Sequence, residues 1–175
     1  MTNPTRRALC AALCLTLIVA GSSAQPPAPK VTVEEARYAA LDKAVTDQKG
    51  NVVLVDFWAT WCPPCVKKMP AVVALHQTYR AKGLAVVTVS LDKNRRGYSV
   101  EAVQKFLAGQ NATCTNFVAA DAATDGRDIV KRFGIGAGIP YLTLFDKTGK
   151  RVWDSDAKPL SEKELAALIE TELAK

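Results

Sequence analysis

The 175-residue sequence predicts an α/β domain, a central mixed β-sheet flanked by helices, and three observations carry that reading. Two apolar runs, Val52 to Phe57 and Leu84 to Leu91, do not alternate in polarity, the pattern of strands buried on both faces. The stretch between them reads as one long helix, and a right-handed strand–helix–strand crossover makes the two strands parallel. Near the end, Tyr141 to Phe145 and Lys150 to Trp153 flank Asp146-Lys147-Thr148-Gly149 as an antiparallel hairpin, and a well-announced helix follows. The order is βαβ first and ββα last.

The N-terminal stretch stands apart from this domain. Arg6 and Arg7 precede an apolar run from Ala8 to Ala20, too short to span a bilayer comfortably, and Ser22-Ser23-Ala24 supplies small residues for cleavage. Residues 1–24 read as a signal peptide, with an uncleaved N-terminal anchor as the alternative; both place the domain outside the cytoplasm. Gln25-Pro26-Pro27-Ala28-Pro29 opens an extended linker, residues 25–30, that cannot continue a helix. The domain proper is expected over residues 31–175.

Within it, Thr32 and Glu35 suggest a capping box for a helix whose apolar stripe is Ala36, Ala40, Leu41, Ala44 and Val45, ending before Gly50. The strand from Val52 follows, and after it a helix from Cys62 toward Arg80, with Pro63 tolerated in the first turn and Pro70 kinking the interior. After the strand ending at Leu91, Ser99 caps a helix carrying Val103, Phe106 and Leu107, and Asn116 to Ala120 is a short strand. Asp125 is a candidate cap for a helix carrying Ile129, Val130 and Phe133, stopped by Gly134. In the last helix Ser161 and Glu164 form a capping box, Leu160 staples onto Leu165, and Leu165, Leu168, Ile169 and Leu173 form the apolar face.

Charge and cysteine content exclude several classes. Removing Arg6 and Arg7 from 23 basic residues leaves 21 against 17 acidic ones, a mild excess of about +4. The one basic cluster, Lys93-Asn94-Arg95-Arg96, reads as a solvated loop rather than a nucleic-acid contact. Outside the signal only Cys62, Cys65 and Cys114 remain, an odd number that rules out a multi-disulfide scaffold.

The chemistry is concentrated in Trp61-Cys62-Pro63-Pro64-Cys65, which follows the buried strand directly. Two cysteines three apart at a strand-to-helix turn can close a disulfide within one helical turn, and the first sulfur then sits at the positive helix end, which favours its thiolate. Cys62 is therefore the candidate nucleophile and Cys65 the resolving thiol. A structural disulfide or half a zinc site is the bland reading, but zinc needs two more ligands, and the sequence offers only a distant Cys114 and His76, which reads as solvated three turns down the helix. Asp56, between Val55 and Phe57, is either a carboxyl with a raised pKa that serves as base for Cys65 or a satisfied structural carboxylate. Trp58 is expected to pack and Trp61 to border the thiols, while Cys114 reads as an inert half-buried thiol. Pro140 is either a cis-proline beside the dithiol or an ordinary strand opener.

Taken together, Val55 to Cys65, Gly138-Ile139-Pro140-Tyr141-Leu142-Thr143-Leu144-Phe145 and Lys147-Thr148-Gly149-Lys150 resemble the active-site strand and turn, the cis-proline strand and the following hairpin of the thioredoxin superfamily. The resemblance covers nearly all of residues 31–175 and implies a thioredoxin fold. Cys65 and Pro140 are 75 positions apart, which leaves room for an inserted helix–strand unit at the Ser99 helix and Asn116 strand. That unit, with the N-terminal export signal, is similar to the TlpA/ResA-like branch. It implies an exported, periplasmic or membrane-tethered thiol–disulfide oxidoreductase without a cofactor, and Pro140 in the cis form. Trp61, Pro63, Pro64 and Ile139 would then border bound substrate. The implied partners are disulfide-containing exported clients, such as cytochrome c or metal-site maturation proteins, and a DsbD- or CcdA-like membrane electron donor. Two departures stand out: the glutamate several relatives carry at the end of the second strand has only Asp92 nearby, and Thr88 stands where thioredoxins place a lysine near the buried acid. Pro63 and Pro64 give the thiolate neither proton nor charge, so the couple is expected nearer about −270 mV than about −120 mV, favouring a reductant. A disulfide oxidase or isomerase, a metal-binding chaperone and a non-catalytic adaptor on the same fold are the competing readings.

Overall fold

The computed structural model describes residues 30–175 apart from 121 and 137, so the signal peptide expected over 1–24 and all of the linker but Lys30 lie outside the described residues. A six-stranded mixed sheet carries the domain in the order β1-β4-β3-β2-β5-β6. In chain order the elements are β1 (Glu34–Ala36), α1 (Tyr38–Thr46), β2 (Val52–Trp58), α2 (Pro63–Tyr79), β3 (Leu84–Ser90), α3 (Val100–Gly109), β4 (Thr115–Ala119), α4 (Ala122–Phe133), β5 (Tyr141–Phe145), β6 (Arg151–Asp154) and α5 (Glu162–Ala174).

All seven residues of β2 are buried. The strand is parallel to β3 and antiparallel to β5, which accounts for its unbroken apolar run. Helix α2 continues through Pro70 and passes by a 3₁₀ turn, Arg80–Lys82, to Gly83 at φ +100°, where β3 begins. Ser99 caps α3 by accepting from the Ala102 N–H at 3.2 Å, and α3 with β4 forms the extra unit, β4 pairing parallel with β3 and β1. On α5 the Ser161–Glu164 capping box is complete in both directions, at 3.3 and 2.8 Å.

Two expectations are corrected. Thr32 and Glu35 do not open a helix: Glu34–Ala36 is a strand paired with Phe117–Ala119 of β4, and α1 starts at Tyr38 after Arg37, which has no side-chain cap. The ladder with β4 and the contacts of Glu35 with Lys93 and the Tyr98 hydroxyl outweigh the local capping signal. Helix α4 begins at Ala122, so Asp125 lies inside it rather than capping it. Gly134 does end α4, at φ +86°, and a Cβ there would lie 2.6 Å from the Tyr141 hydroxyl and closer still to Arg151.

The core has two parts, one on each side of the sheet. On one side α1 and α4 cover Val53, Val55, Phe57, Val87, Val89 and Phe145. There Phe133 meets Phe57 and Phe145 edge-on, with ring centroids 5.4 and 5.9 Å apart, a geometry worth roughly 0.5–1.5 kcal/mol per pair beyond area burial. On the other side α2, α3 and α5 cover Leu54, Trp58, Val86, Val118 and Leu144. The dithiol belongs to this second side.

Candidate active site

Strand β2 delivers the site. It ends at Trp58, and the chain turns through Ala59, Thr60 and Trp61 with the Cys62 N–H donating to the Ala59 carbonyl at 3.2 Å. Cys62 is the N-cap of α2 in extended conformation, and Pro63 and Pro64 start the helix, where a missing N–H is harmless. Cys62 and Cys65 are joined as a disulfide with Cα atoms 5.2 Å apart. The Cys65 N–H donates to Cys62 Sγ at 3.3 Å, so the sulfur already occupies the place of a capping acceptor. That position favours a negative sulfur once the pair is reduced. Cys62 is 5% exposed and Cys65 1%, which gives an incoming sulfur access to Cys62 first.

The Ile139–Pro140 peptide bond is cis. It brings the Ile139 carbonyl oxygen to 3.8 Å from Cys62 Sγ, a contact that becomes a donated S–H bond only in the free thiol. Both residues are half-buried, and Pro63 and Pro64 are exposed. Trp58 is fully buried against Phe106, whereas Trp61 is 38% exposed with the Arg95 guanidinium 4.5 Å above its ring. A groove of about 650 Å³ runs from Pro64 and Pro140 along α2, floored by Val72, Leu142 and Leu165.

Asp56 faces the dithiol side between Leu54 and Trp58, in register with Thr88 on β3 and Leu142 on β5. It is 1% exposed, and its Oδ1 has no hydrogen-bond partner among the described residues. Burial pushes the carboxyl up to about 7, with the charge of Lys68 pulling the other way. The Thr88 hydroxyl spends its hydrogen on Asn116 Oδ1 at 2.9 Å and has none left to stabilise an ionised Asp56. Asn116 in turn donates to the carbonyls of Thr32, Ala112 and Cys114. Beside it, burial pushes the Cys114 thiol up to about 12, which keeps it protonated.

His76 departs from its expected role as a solvated helix residue. It is half-buried, its Nδ1 has no partner among the described residues, and it shares a pocket of about 430 Å³ with Cys114 and Asn116. Burial, then the nearby Arg80 charge, holds its imidazole below the ordinary range. No group of three or more His, Cys, Asp or Glu side chains among the described residues is placed to hold a metal ion, and no helix among them is long and apolar enough to cross a membrane.

The contribution of Asp92 was not legible beyond its place after an apolar strand. It is 6% exposed and accepts from the Thr60 N–H at 3.0 Å, the Thr60 hydroxyl and the Ser90 hydroxyl at 2.6 Å. The basic cluster next to it is likewise more than a solvated loop, since Lys93 bonds Glu35 and Arg95 covers Trp61.

Comparison with known proteins agrees with this geometry. Residues 23–169 match the Redoxin family model. Over 106 residues, 61% of this chain, the sequence is 36% identical to the thiol-disulfide oxidoreductase ResA of Bacillus thuringiensis, of whose length that match takes in only 55%. Among solved structures, a thiol:disulfide interchange protein from a Bacteroides species superposes with a TM-score of 0.59 at 25% identity, covering 74% of this chain and 78% of that one. The thioredoxin domain of a thiol-disulfide oxidoreductase from Bacteroides vulgatus does so at 0.56 and 28%, covering 71% and 81%. The fold is the thioredoxin fold, with α3 and β4 as the added unit.

Proposed function

Since the chain belongs to the Redoxin family, as a TlpA/ResA-like member of the thioredoxin superfamily, we propose that it is a thiol–disulfide oxidoreductase that reduces disulfides of exported proteins through Cys62 and Cys65. The observation that carries this reading is the Cys62 sulfur at the start of α2, accepting from the Cys65 N–H and lying against the cis Ile139–Pro140 bond.

In the reduced protein the Cys62 thiolate attacks one sulfur of a client disulfide, and the other client sulfur leaves as a thiolate. The client is then held to Cys62 as a mixed disulfide. Asp56, neutral only below about pH 7, takes the Cys65 proton in its carboxylate form, and the Cys65 thiolate attacks Cys62 Sγ. The second client sulfur departs and is protonated, leaving a dithiol client and the Cys62–Cys65 disulfide seen here. Two electrons have passed to the client. Trp61, Pro63, Pro64 and Ile139 border the approach, and the backbone beside Pro140 pairs with an extended client chain.

Regeneration requires a donor of two electrons, for which a DsbD- or CcdA-like membrane protein is the fitting class, and residues 1–24 serve as the export signal of a periplasmic protein. Cytochrome c or metal-site maturation proteins are the client class. The test is the equilibrium potential against glutathione, together with acid-trapped thiol labelling in cells. A mostly reduced pair with a potential below about −200 mV supports the reductant, and a mostly oxidised pair near about −120 mV overturns it in favour of an oxidase.

A further inference from the structure

The turn after β3 has no part in the exchange steps above, yet it grips both residues that lead into Cys62. The Asp92 carboxylate accepts from three donors, and two of them, the backbone N–H and the hydroxyl, belong to Thr60, which lies 32 positions earlier in the chain. One buried carboxylate thus fixes both the main chain and the side chain of an otherwise exposed residue. Three positions on, Arg95 lays its guanidinium 4.5 Å above the ring of Trp61, and its own N–H closes the turn on the Asp92 carbonyl at 2.9 Å. The turn is braced from behind. Lys93 and the Tyr98 hydroxyl both bond Glu35 of β1, and the Leu91 N–H donates to the Trp58 carbonyl at 2.8 Å.

We infer that Asp92 and Arg95 are positioning residues for Cys62, holding Thr60 and Trp61 so that the sulfur stays over the first turn of α2. This rests on the exchange reading above. The physical need is plain: the field of a helix end falls off within its first turn, so a thiolate gains from it only while the sulfur is held there. Displacement of a reacting atom by about 1 Å can slow a reaction about 100-fold. An exposed three-residue turn carries no such constraint by itself, whereas a carboxylate with three donors sets its geometry and is costly to disturb.

The test uses the reduced full chain. Iodoacetamide labelling of Cys62 over a pH series reads the thiolate directly, insulin reduction reads exchange, and melting reads stability. Thr60→Val and Asp92→Asn are each expected to slow exchange about tenfold and to move the labelling midpoint to higher pH. The double variant is expected to be no slower than the slower single one, because both break the same contact. Thr60→Ser, which keeps the hydroxyl, is expected to recover the parent rate within about twofold, and Arg95→Gln to slow exchange about threefold. Should Asp92→Asn fail to fold, the surface Thr60 variants still decide. The proposal is overturned if melting falls while the labelling midpoint and exchange rate stay within about twofold of the parent, or if the two single losses multiply in the double variant. Failure of the exchange reading looks different: the parent reduces no disulfide, while the labelling midpoint still reports on the clamp.

Discussion

Alternate residues of β2 point to opposite sides of the sheet, and the two sets meet different surroundings. Val53, Val55 and Phe57 pack under α1 and α4 with Phe133, Tyr141 and Phe145, where the polar atoms are paired: the Tyr141 hydroxyl donates to the Phe133 carbonyl at 2.9 Å and the Thr143 hydroxyl to the Trp153 carbonyl at 3.2 Å. Leu54, Asp56 and Trp58 face α2, α3 and α5. All three buried side-chain N and O atoms without a partner among the described residues lie on this side: Asp56 Oδ1, Trp58 Nε1 and His76 Nδ1. One layer is built for packing, and the other tolerates unpaired polar groups near a dithiol. Buried polar atoms ordinarily find partners, so their segregation to one face marks where stability is exchanged for chemistry.

Variants on the two faces should therefore fail in different ways. The largest effect is expected from Cys62→Ser, which should lower disulfide reduction at least about 1000-fold, some 4 kcal/mol of barrier, in a chain that still folds. An insulin-reduction assay with a circular dichroism spectrum checks both halves. Phe133→Ala on the opposite face should cost about 3–5 kcal/mol in a urea melt, while the folded fraction keeps the parent's Cys62 labelling profile. A shifted profile in that variant would erase the distinction between the faces.

Asp56→Asn sharpens the contrast, because it should slow exchange and raise stability together. Burial raises the Asp56 carboxyl from 3.8 to about 7, so between those values the folded chain holds a proton that the unfolded chain has released. Stability accordingly falls as pH rises through that window, and the asparagine variant escapes the loss. In the oxidised protein its gain should be close to nothing near pH 3.5 and approach an upper bound of about 4 kcal/mol at pH 8, read from urea melts at both pH values. A gain that does not change with pH would remove the raised carboxyl from the account. The smallest effect belongs to Cys114→Ala, about 1 kcal/mol or less, with exchange rates within about twofold of the parent. Native Cys114 should resist iodoacetamide at pH 8, where a thiol raised to about 12 is protonated; rapid labelling would contradict its burial.

Much of this was legible from neighbouring residues. The run from Val52 to Phe57 announced a central strand, Ser99 and the Ser161–Glu164 pair announced helix starts, and the Cys62–Cys65 spacing at a strand-to-helix turn announced the dithiol. The register that sets Thr88 opposite Asp56 also agrees with the resemblance read from the sequence. What misled was local as well: Thr32 and Glu35 make a plausible capping box, and Asp125 a plausible cap, until the contacts of β1 and the extent of α4 are known.

By itself, then, the sequence determined those features whose cause lies within about one turn or one strand of chain: periodicity, caps, the hairpin and the spacing of the thiols. Tertiary structure decided the rest. Only the packed sheet turns Glu35 into a strand residue bonded to Lys93 and Tyr98, brings His76 into one pocket with Cys114, and sets Asp92 against Thr60. Each of these joins groups dozens of residues apart, and their partners are chosen by which side chains remain to be satisfied after the sheet has formed, a condition that no stretch of sequence carries locally.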